Sequence, residues 1–469
     1  MTIKILKIFA VIFALVILGV AGLSYWLLKS SNLQRIVVEN VVGKVTQNDA
    51  EKSAVQKALG FDSVRTYLIL FLNNTEMRPG GGFIGVYALL QMDKGVPHLL
   101  KVEGTEILDN LGKKDFDSVA PAPISKNLKV SRWFFRDSNW SPDFASSSQK
   151  SIELFLKEGG AGNIDHIDAV VGFTPTVIEE VLKIHGPITV DGQEFNAQNF
   201  TEKLEYEVEY GYVKRGEDFA QRKNLLSDLA HGLLADMRFD IFKHYSDYYA
   251  LVGKMFEQKQ MAAYASDANE QQLLQLKNWT GVLTPNTGDY VLWADANLGS
   301  LKTDAVMNRE LSYSIAPSGT DKFVATAKMK LTNTGKFDWR TSRYRDYARV
   351  FVPVGSSLLK ADPNIDQGVE NGRQWFGTFL SIEPGHSGEI SFTYNLPDNI
   401  AAQIKSGDYK LNVDKEIGTI GTALTLGLDF GKKLVSATPG EETKSYGDNR
   451  YDFKTVLDTD KEFKVKLVN

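Results

Sequence analysis

Arg78, Arg136, Arg215 and Arg222 are the side chains of this sequence best suited to gripping an anion. A guanidinium presents a rigid fork of donors that matches the oxygens of phosphate or carboxylate. Arg78 stands just ahead of Gly80-Gly81-Gly82-Phe83-Ile84-Gly85, a glycine run able to turn successive backbone N–H groups toward one anion. The run also matches G-x-G-x-x-G, but a dinucleotide fingerprint must open a helix, and Phe83 to Met92 reads as a strand. A plain turn between strands explains the run as well as an anion nest does. Arg136 opens a polar and aromatic loop, Arg136 to Phe144. There Asp137 is a supporting candidate, and Asp143 suits the positive end of the next helix or an Asx-turn. Arg215 and Arg222, with Lys223, flank a helix start that contains Asp218. They fit a phosphate, and they also fit a capped helix with a solvated face. Arg340, Arg343, Arg345 and Arg349 interleave with Trp339, Tyr344 and Tyr347, a pattern suited to a sugar or anionic polymer, or to a strand with one wet face.

Much chemistry is excluded by composition. With 0 Cys there is no thiolate metal site, thiol nucleophile or disulfide. The six His are scattered, without HExxH or HxxxH spacing, so no metal is expected. No GxSxG elbow, P-loop or EF-hand loop occurs, no cofactor is implied, and the balance leans away from an enzyme. A net charge of -5 argues against nucleic acid.

The elements that must position these residues follow from pattern. Ile8 to Leu28 carry no charge, and about 21 residues at ~1.5 Å each span the ~30 Å of a bilayer core. Tyr25 and Trp26 fall at the interface level, while Lys4 and Lys7 favour a cytoplasmic N-terminus. A cleaved signal peptide is the competing reading. The expected division is a cytoplasmic tip and transmembrane anchor over 1–28, a helical stalk over 29–62, an α/β layered domain over 63–298 and an all-β immunoglobulin-like sandwich over 299–469. Strand candidates at 65–72, 83–92 and 97–102 precede helical patterns at 146–157, 175–183 (Thr174 as N-cap), 197–208 and 217–237. Beyond Leu298 no convincing helix remains, and alternation such as Phe323 to Leu331 recurs between turns.

The frame LxLFxNNxExRPxGGFIG, ending at Gly85, resembles the bacterial domain of unknown function 4012 family. So do Arg136 to Phe144, Asp165 to Val171, Gly186-Pro187-Ile188, Asp295 to Leu298 with Lys302-Thr303-Asp304, and Tyr344 to Tyr347 with Val352 to Ser356. The resemblance implies a one-pass protein of the bacterial cell envelope, with its body outside the cytoplasm. More distantly, the order of strand, glycine turn, Asp-His-x-Asp-x-Val strand and Arg-Gly-Glu-Asp-Phe-Ala-Gln-Arg segment is similar to LytR-CpsA-Psr proteins. Those transfer glycopolymers from polyprenyl-pyrophosphate carriers to the cell wall, with arginines on the pyrophosphate and an acid-bound Mg²⁺. That similarity makes Arg78, Arg215 and Arg222 phosphate-facing and has Asp218 orient the helix start. It departs at Gly82-Phe83-Ile84-Gly85, where the transferases carry an acidic Ser-Asp-Thr element. The expectation is therefore a membrane protein that binds a glycopolymer, a polyprenyl-phosphate lipid or a protein partner through Arg78, Gly80, Gly81, Gly82, Arg136, Arg215 and Arg222. The alternative is a LytR-CpsA-Psr-like phosphotransferase, and only that alternative calls for Mg²⁺.

Overall fold

The computed structural model describes residues 49–112, 116–160, 162–218, 243–285, 287–360, 362–441 and 447–468, with 225, 226, 228, 229, 232, 233 and 240. The expected anchor and the first part of the expected stalk lie outside the described residues. Among the described residues, no helix is long and apolar enough to cross a membrane.

The first body is a mixed five-stranded sheet with helices on both faces. Its elements are α1 (Asp49–Ala58), β1 (Arg65–Asn73), β2 (Phe83–Asp93), β3 (Val96–Gly104), α2 (Thr105–Leu111), α3 (Ala122–Leu128), α4 (Phe144–Glu158), β4 (Ala169–Phe173) and α5 (Pro175–His185). A small hairpin, β5 (Ile188–Val190) and β6 (Gln193–Phe195), leads to α6 (Phe200–Tyr206), α7 (Tyr245–Glu257), β7 (Met261–Ala265) and α8 (Ala268–Leu276). The strand order is β3-β2-β1-β4-β7, with β1 and β4 parallel and the other pairs antiparallel.

Alternation along β1 explains the layering. Tyr67 and Ile69 join the core under α5 and α7, while Leu68, Leu70 and Leu72 join the core under α4. A strand covered on both faces reads as an unbroken apolar run, as Leu68 to Leu72 does.

Two expectations need correction here, and one about Asp143 holds. The chain over Asp49–Ala58 is not a free stalk: Val55 and Leu59, one helical turn apart, are buried in the first core. Thr174 precedes α5 but makes no side-chain cap, because its hydroxyl donates to Gln260 Oε1 at 2.6 Å. Asp143 does cap α4, accepting from Ser146 N at 2.9 Å.

The second body is a sandwich of two sheets around one core. One sheet runs β12 (Ser357–Leu358), β15 (Ser387–Asn395), β10 (Phe323–Asn333), β9 (Met307–Pro317), β17 (Thr422–Asp429) and β19 (Arg450–Leu457). The other runs β13 (Asp366–Glu370), β14 (Arg373–Ile382), β11 (Tyr344–Pro353), β8 (Asp289–Ala294), β16 (Asp408–Asp414), β20 (Lys461–Leu467) and β18 (Leu434–Thr438). Phe323, Ala325, Ala327, Met329 and Leu331 of β10 point inward in strict alternation.

β8 corrects the expected boundary at 298/299. It is the middle strand of the seven-stranded sheet, so the sandwich begins before Asp289. Every residue of β8 is buried, which removes the alternation that marks the other strands. Parallel pairs β8·β16 and β9·β17 also depart from the antiparallel immunoglobulin plan. One helix, α9 (Asp398–Ser406), does occur beyond residue 298, burying Ile400 and Ile404.

Candidate functional site

The predicted arginines divide between a junction, a surface turn and a cavity. Arg78 is 2% exposed. Its Nε donates to Asp137 Oδ1 at 2.9 Å, and its Nη1 donates to the carbonyls of Met77 at 3.0 Å and Asn297 at 2.6 Å. Burial alone lowers its pKa, but Asp137 and Glu76 outweigh burial and leave it raised. Its guanidinium therefore ties the first body to the second and is spent on protein partners. Asp137, named as a support, is that buried partner.

The glycine turn is likewise structural. Gly80 N donates to Asn139 O at 3.0 Å, and Gly81 N and Gly82 N both donate to Arg78 O. All three N–H groups of the supposed nest are taken. Gly81 and Gly82 hold φ of 115° and 120°, and a Cβ on Gly82 would meet Asn73 O at 2.4 Å. Gly80 bridges Ile417 of the second body.

Arg215 lies past α6, with Nη1 on Glu207 Oε2 at 2.5 Å and Nη2 on Glu217 Oε2 at 2.8 Å. Asp218 follows it, exposed, just past the turn at Arg215 and Gly216. Arg222 lies outside the described residues. Arg78, Arg136 and the glycine turn are neighbours through Asp137 and Asn139, but Arg215 is not brought to them as an open phosphate clamp. Three of the four arginines of the later motif are also committed, Arg340 to Glu205 and Glu202, Arg343 to Glu383, and Arg349 to Glu370 and Trp140 O, while Arg345 lies over the Phe379 ring.

Further motif residues build the same junction. Arg309 bridges Asp295 at 2.7 Å and Asp304 at 2.5 Å. Asp304 also accepts from Met77 N at 2.9 Å and from Asn297 Nδ2 at 2.8 Å. Asp346 Oδ1 accepts from Ala296 N at 2.9 Å, and burial lifts that carboxyl well above the usual range. Among the described residues, no three His, Asp or Glu side chains are grouped to hold a metal ion.

Arg136 is the predicted residue that reaches a cavity. The space encloses about 450 Å³ between β1, β2 and β3 on one side and α5, α6 and the side chains of Leu226, Leu229 and Leu233 on the other. Ile69, Phe71, Leu90, Leu99, Phe173, Ile178, Leu204 and Leu229 give it apolar walls. It follows β2 from Phe83 to Leu90, and seven strand steps of ~3.3 Å make roughly 23 Å. A space of that shape suits an extended apolar chain.

Polar groups collect where the lining meets the second body. Glu76, Glu205, Glu209, Arg136 and Lys302 all face it. Lys302 Nζ reaches Glu209 Oε1 at 3.3 Å, and Arg340 Nε reaches Glu205 Oε2 at 2.7 Å. Arg136 is held by Asp109 at 3.3 Å and Asp137 at 3.6 Å, over the Phe134 ring. Behind it, burial and then the Glu158 carboxylate push Asp109 up to about 8. Burial also raises Glu76, with Arg78 opposing. The arrangement offers an apolar channel capped by hydrogen-bonding groups that are mutually paired.

Sequence reasoning missed Glu76, Glu205, Glu209 and Lys302. Glu76 had a signal: a carboxylate in the short link between two apolar strands, inside the motif that gave the resemblance. The apolar lining had none, since its residues come from many separate segments.

Comparison with known proteins bears on the first body. Residues 62–209 match the family described as "Protein of unknown function (DUF4012)". Over those residues the chain is similar to the DUF4012 family. The DUF4012 match runs from just before β1 into the helix after the hairpin, and so contains Arg78, the glycine turn, Arg136 and most of the cavity wall. A comparison with curated proteins gave no match. Among solved structures, a "putative nutrient binding protein" of Legionella pneumophila is 7% identical, with a TM-score of 0.24, over 38% of this chain and 71% of that one. The Lin1025 protein of Listeria innocua is 10% identical, with a TM-score of 0.24, over 47% and 78%. Protein gbs0355 of Streptococcus agalactiae is 11% identical, with a TM-score of 0.26, over 46% and 73%. Likeness at this level carries no argument about the fold or the ligand.

Proposed function

We propose that this protein is a binding protein of the cell envelope whose first body holds the apolar chain of an amphipathic ligand, of the polyprenyl or acyl lipid class. The carrying observation is the cavity of about 450 Å³, with apolar walls and its polar groups gathered beside the second body. Burying an apolar chain there is worth roughly 25 cal/mol per Å² removed from water. The uncharged run from Ile8 to Leu28 supports a single-pass anchor with the body outside, which keeps the cavity within reach of membrane lipid. The head group is recognised by hydrogen bonds more than by charge. Arg136 and Lys302 face Glu76, Glu106, Glu205 and Glu209 on the same lining, a balance that favours a hydroxyl-rich or singly charged head over a pyrophosphate.

The phosphotransferase reading keeps the same lipid but needs arginines free to hold pyrophosphate and acids to hold Mg²⁺. Arg78 and Arg215 are committed to protein carboxylates, so binding is favoured over transfer. The test is lipid analysis of the full chain purified in mild detergent. A lipid should co-purify at near one per chain and be lost in Ile178→Trp, which fills the channel. Equal lipid on both proteins would overturn the reading.

A further inference from the structure

The helix that walls the cavity turns a second face outward. Glu205 and Val208 line the cavity, while Tyr206, Tyr210 and Val213 occupy the opposite side of the same segment. That segment passes from α6 through a π turn, Glu207–Gly211, into Tyr212–Lys214. A distant turn of the sandwich, between β10 and β11, brings Phe337 and Trp339 beside it. The Trp339 ring meets Tyr206 at 5.4 Å and Tyr210 at 5.7 Å. The apolar surface remains wet: Tyr210 is 48%, Val213 65% and Phe337 67% exposed.

We propose that Tyr210, Val213, Phe337 and Trp339 form a docking surface for a lipid bilayer beside the cavity's polar rim. The purpose rests on the cavity reading, since a long apolar chain enters from a membrane and not from water; the surface itself is a separate observation. Three features select a bilayer as occupant. The patch is continuous with the rim through Glu205, Glu209 and Arg340, so a docked bilayer would lie against the entrance. Aromatic side chains with apolar bodies and polar tips are the residues that settle at a membrane interface. The uncharged run that precedes the described chain keeps a bilayer near.

The nearby charges exclude a different mode of attachment. Lys336 pairs with Asp338 at 3.8 Å, Arg340 with Glu202 and Glu205, Arg215 with Glu207 and Glu217, and Lys302 with Glu209. Lys214 donates to the Tyr206 hydroxyl at 3.3 Å. Among the described residues, no surplus of positive charge is left here to seek anionic headgroups. Docking is therefore by apolar insertion, persists on phosphatidylcholine and is insensitive to salt.

The absence of cysteine makes the test clean, because a single introduced thiol is unique. The full chain carrying Val213→Cys or Phe337→Cys is labelled with an environment-sensitive dye and mixed with phosphatidylcholine vesicles containing acyl-chain quencher. Both labels should be quenched, and a label at Val435→Cys, an exposed position on edge strand β18, should not. A second arm follows loading of a fluorescent acyl probe from the same vesicles. Tyr210→Ser with Phe337→Ser should slow loading on the order of tenfold, the size expected when two aromatic side chains no longer leave water. Equilibrium loading from detergent should be unchanged. Unquenched labels at 213 and 337 overturn the docking surface even if the probe still loads. Labels shielded only by a cell-wall polymer or by a second copy of the chain overturn it in favour of that occupant. Quenched labels with no probe loading keep the docking surface and sink the cavity reading instead.

Discussion

The junction between the two bodies and the cavity beside it are both interior, and they are built on opposite rules. At the junction, beside an apolar patch that packs Ile124 and Trp140 on Leu298 and Tyr347, buried charges are matched: Arg78 to Asp137, Arg309 to Asp295 and Asp304, Lys259 to Asp460. In the cavity the walls are apolar and face space, and the charged groups are gathered at one end. The first region fixes one arrangement of the two bodies, because a misplaced buried charge loses its partner. The second tolerates change, because side chains that bound a space are not interlocked across it. Residues that look like chemistry in the sequence thus hold the frame, and residues that look like ordinary core form the binding surface.

The largest effect should come from cutting the frame where the pattern changes instead of where the sheets divide. A fragment of residues 299–469 lacks β8, the middle strand of the seven-stranded sheet. It should fail to give a cooperative unfolding transition, whereas full-length protein should give one. A well-folded 299–469 fragment would show that β8 belongs to the first body after all.

Next in size is the single charge. Arg78→Ala leaves the buried Asp137 with only its longer contact to Arg136, at 3.6 Å, and should cost about 3–5 kcal/mol in chemical denaturation. A loss under ~1 kcal/mol would mean that the junction relaxes around the gap and is not the rigid region described.

The cavity should respond the other way round. Ile178→Trp should abolish binding of an acyl probe while changing stability by no more than ~1–3 kcal/mol, the ordinary cost of added bulk. If it unfolds the protein, or leaves binding intact, the contrast between the two regions collapses.

Acidity offers a graded test. Burial lifts Asp289 to about 6 and Asp109 to about 8. Unfolded, both would release protons near the ordinary value of ~4. Across that interval the folded chain binds more protons, so stability falls as pH rises, by up to ~1.4 kcal/mol per pH unit for each proton held. Asp289→Asn should flatten the lower part of the curve and Asp109→Asn the upper part. Stability that rises from pH 5 to 8, in wild type and variants alike, would refute the assignment.

The smallest effect concerns the rim. Glu76 has a raised pKa because burial disfavours its charge, so an apolar ligand should bind more tightly as pH falls. Glu76→Gln should remove that dependence and strengthen probe binding several-fold at neutral pH.

Much of the frame was legible in the sequence. Alternation along β10 and the apolar run of β1 announced their sheets, and Asp143 announced the start of α4. β8 escaped because a strand buried on both faces has no period to read. The anion site was misjudged for a different reason: residue type tells what a guanidinium can hold, not what holds it. Arg78 is answered by Asp137, 59 positions away, and by Asn297, 219 positions away. A cavity is less legible still, since it is defined by where side chains stop, and no single residue carries that information.

The π turn at Glu207–Gly211 has a consequence for how such a protein can diverge. A π turn holds about one residue more than an α-helix requires, so losing one residue there restores the regular helix and leaves everything beyond it close to its present orientation. Val213 would keep to the outer face, and Glu205 and the cavity wall would stay in place. This segment can therefore lose one residue at the π turn with both faces kept, whereas the same loss within α6 would turn every later side chain by about 100° and uncouple the outer face from the cavity wall.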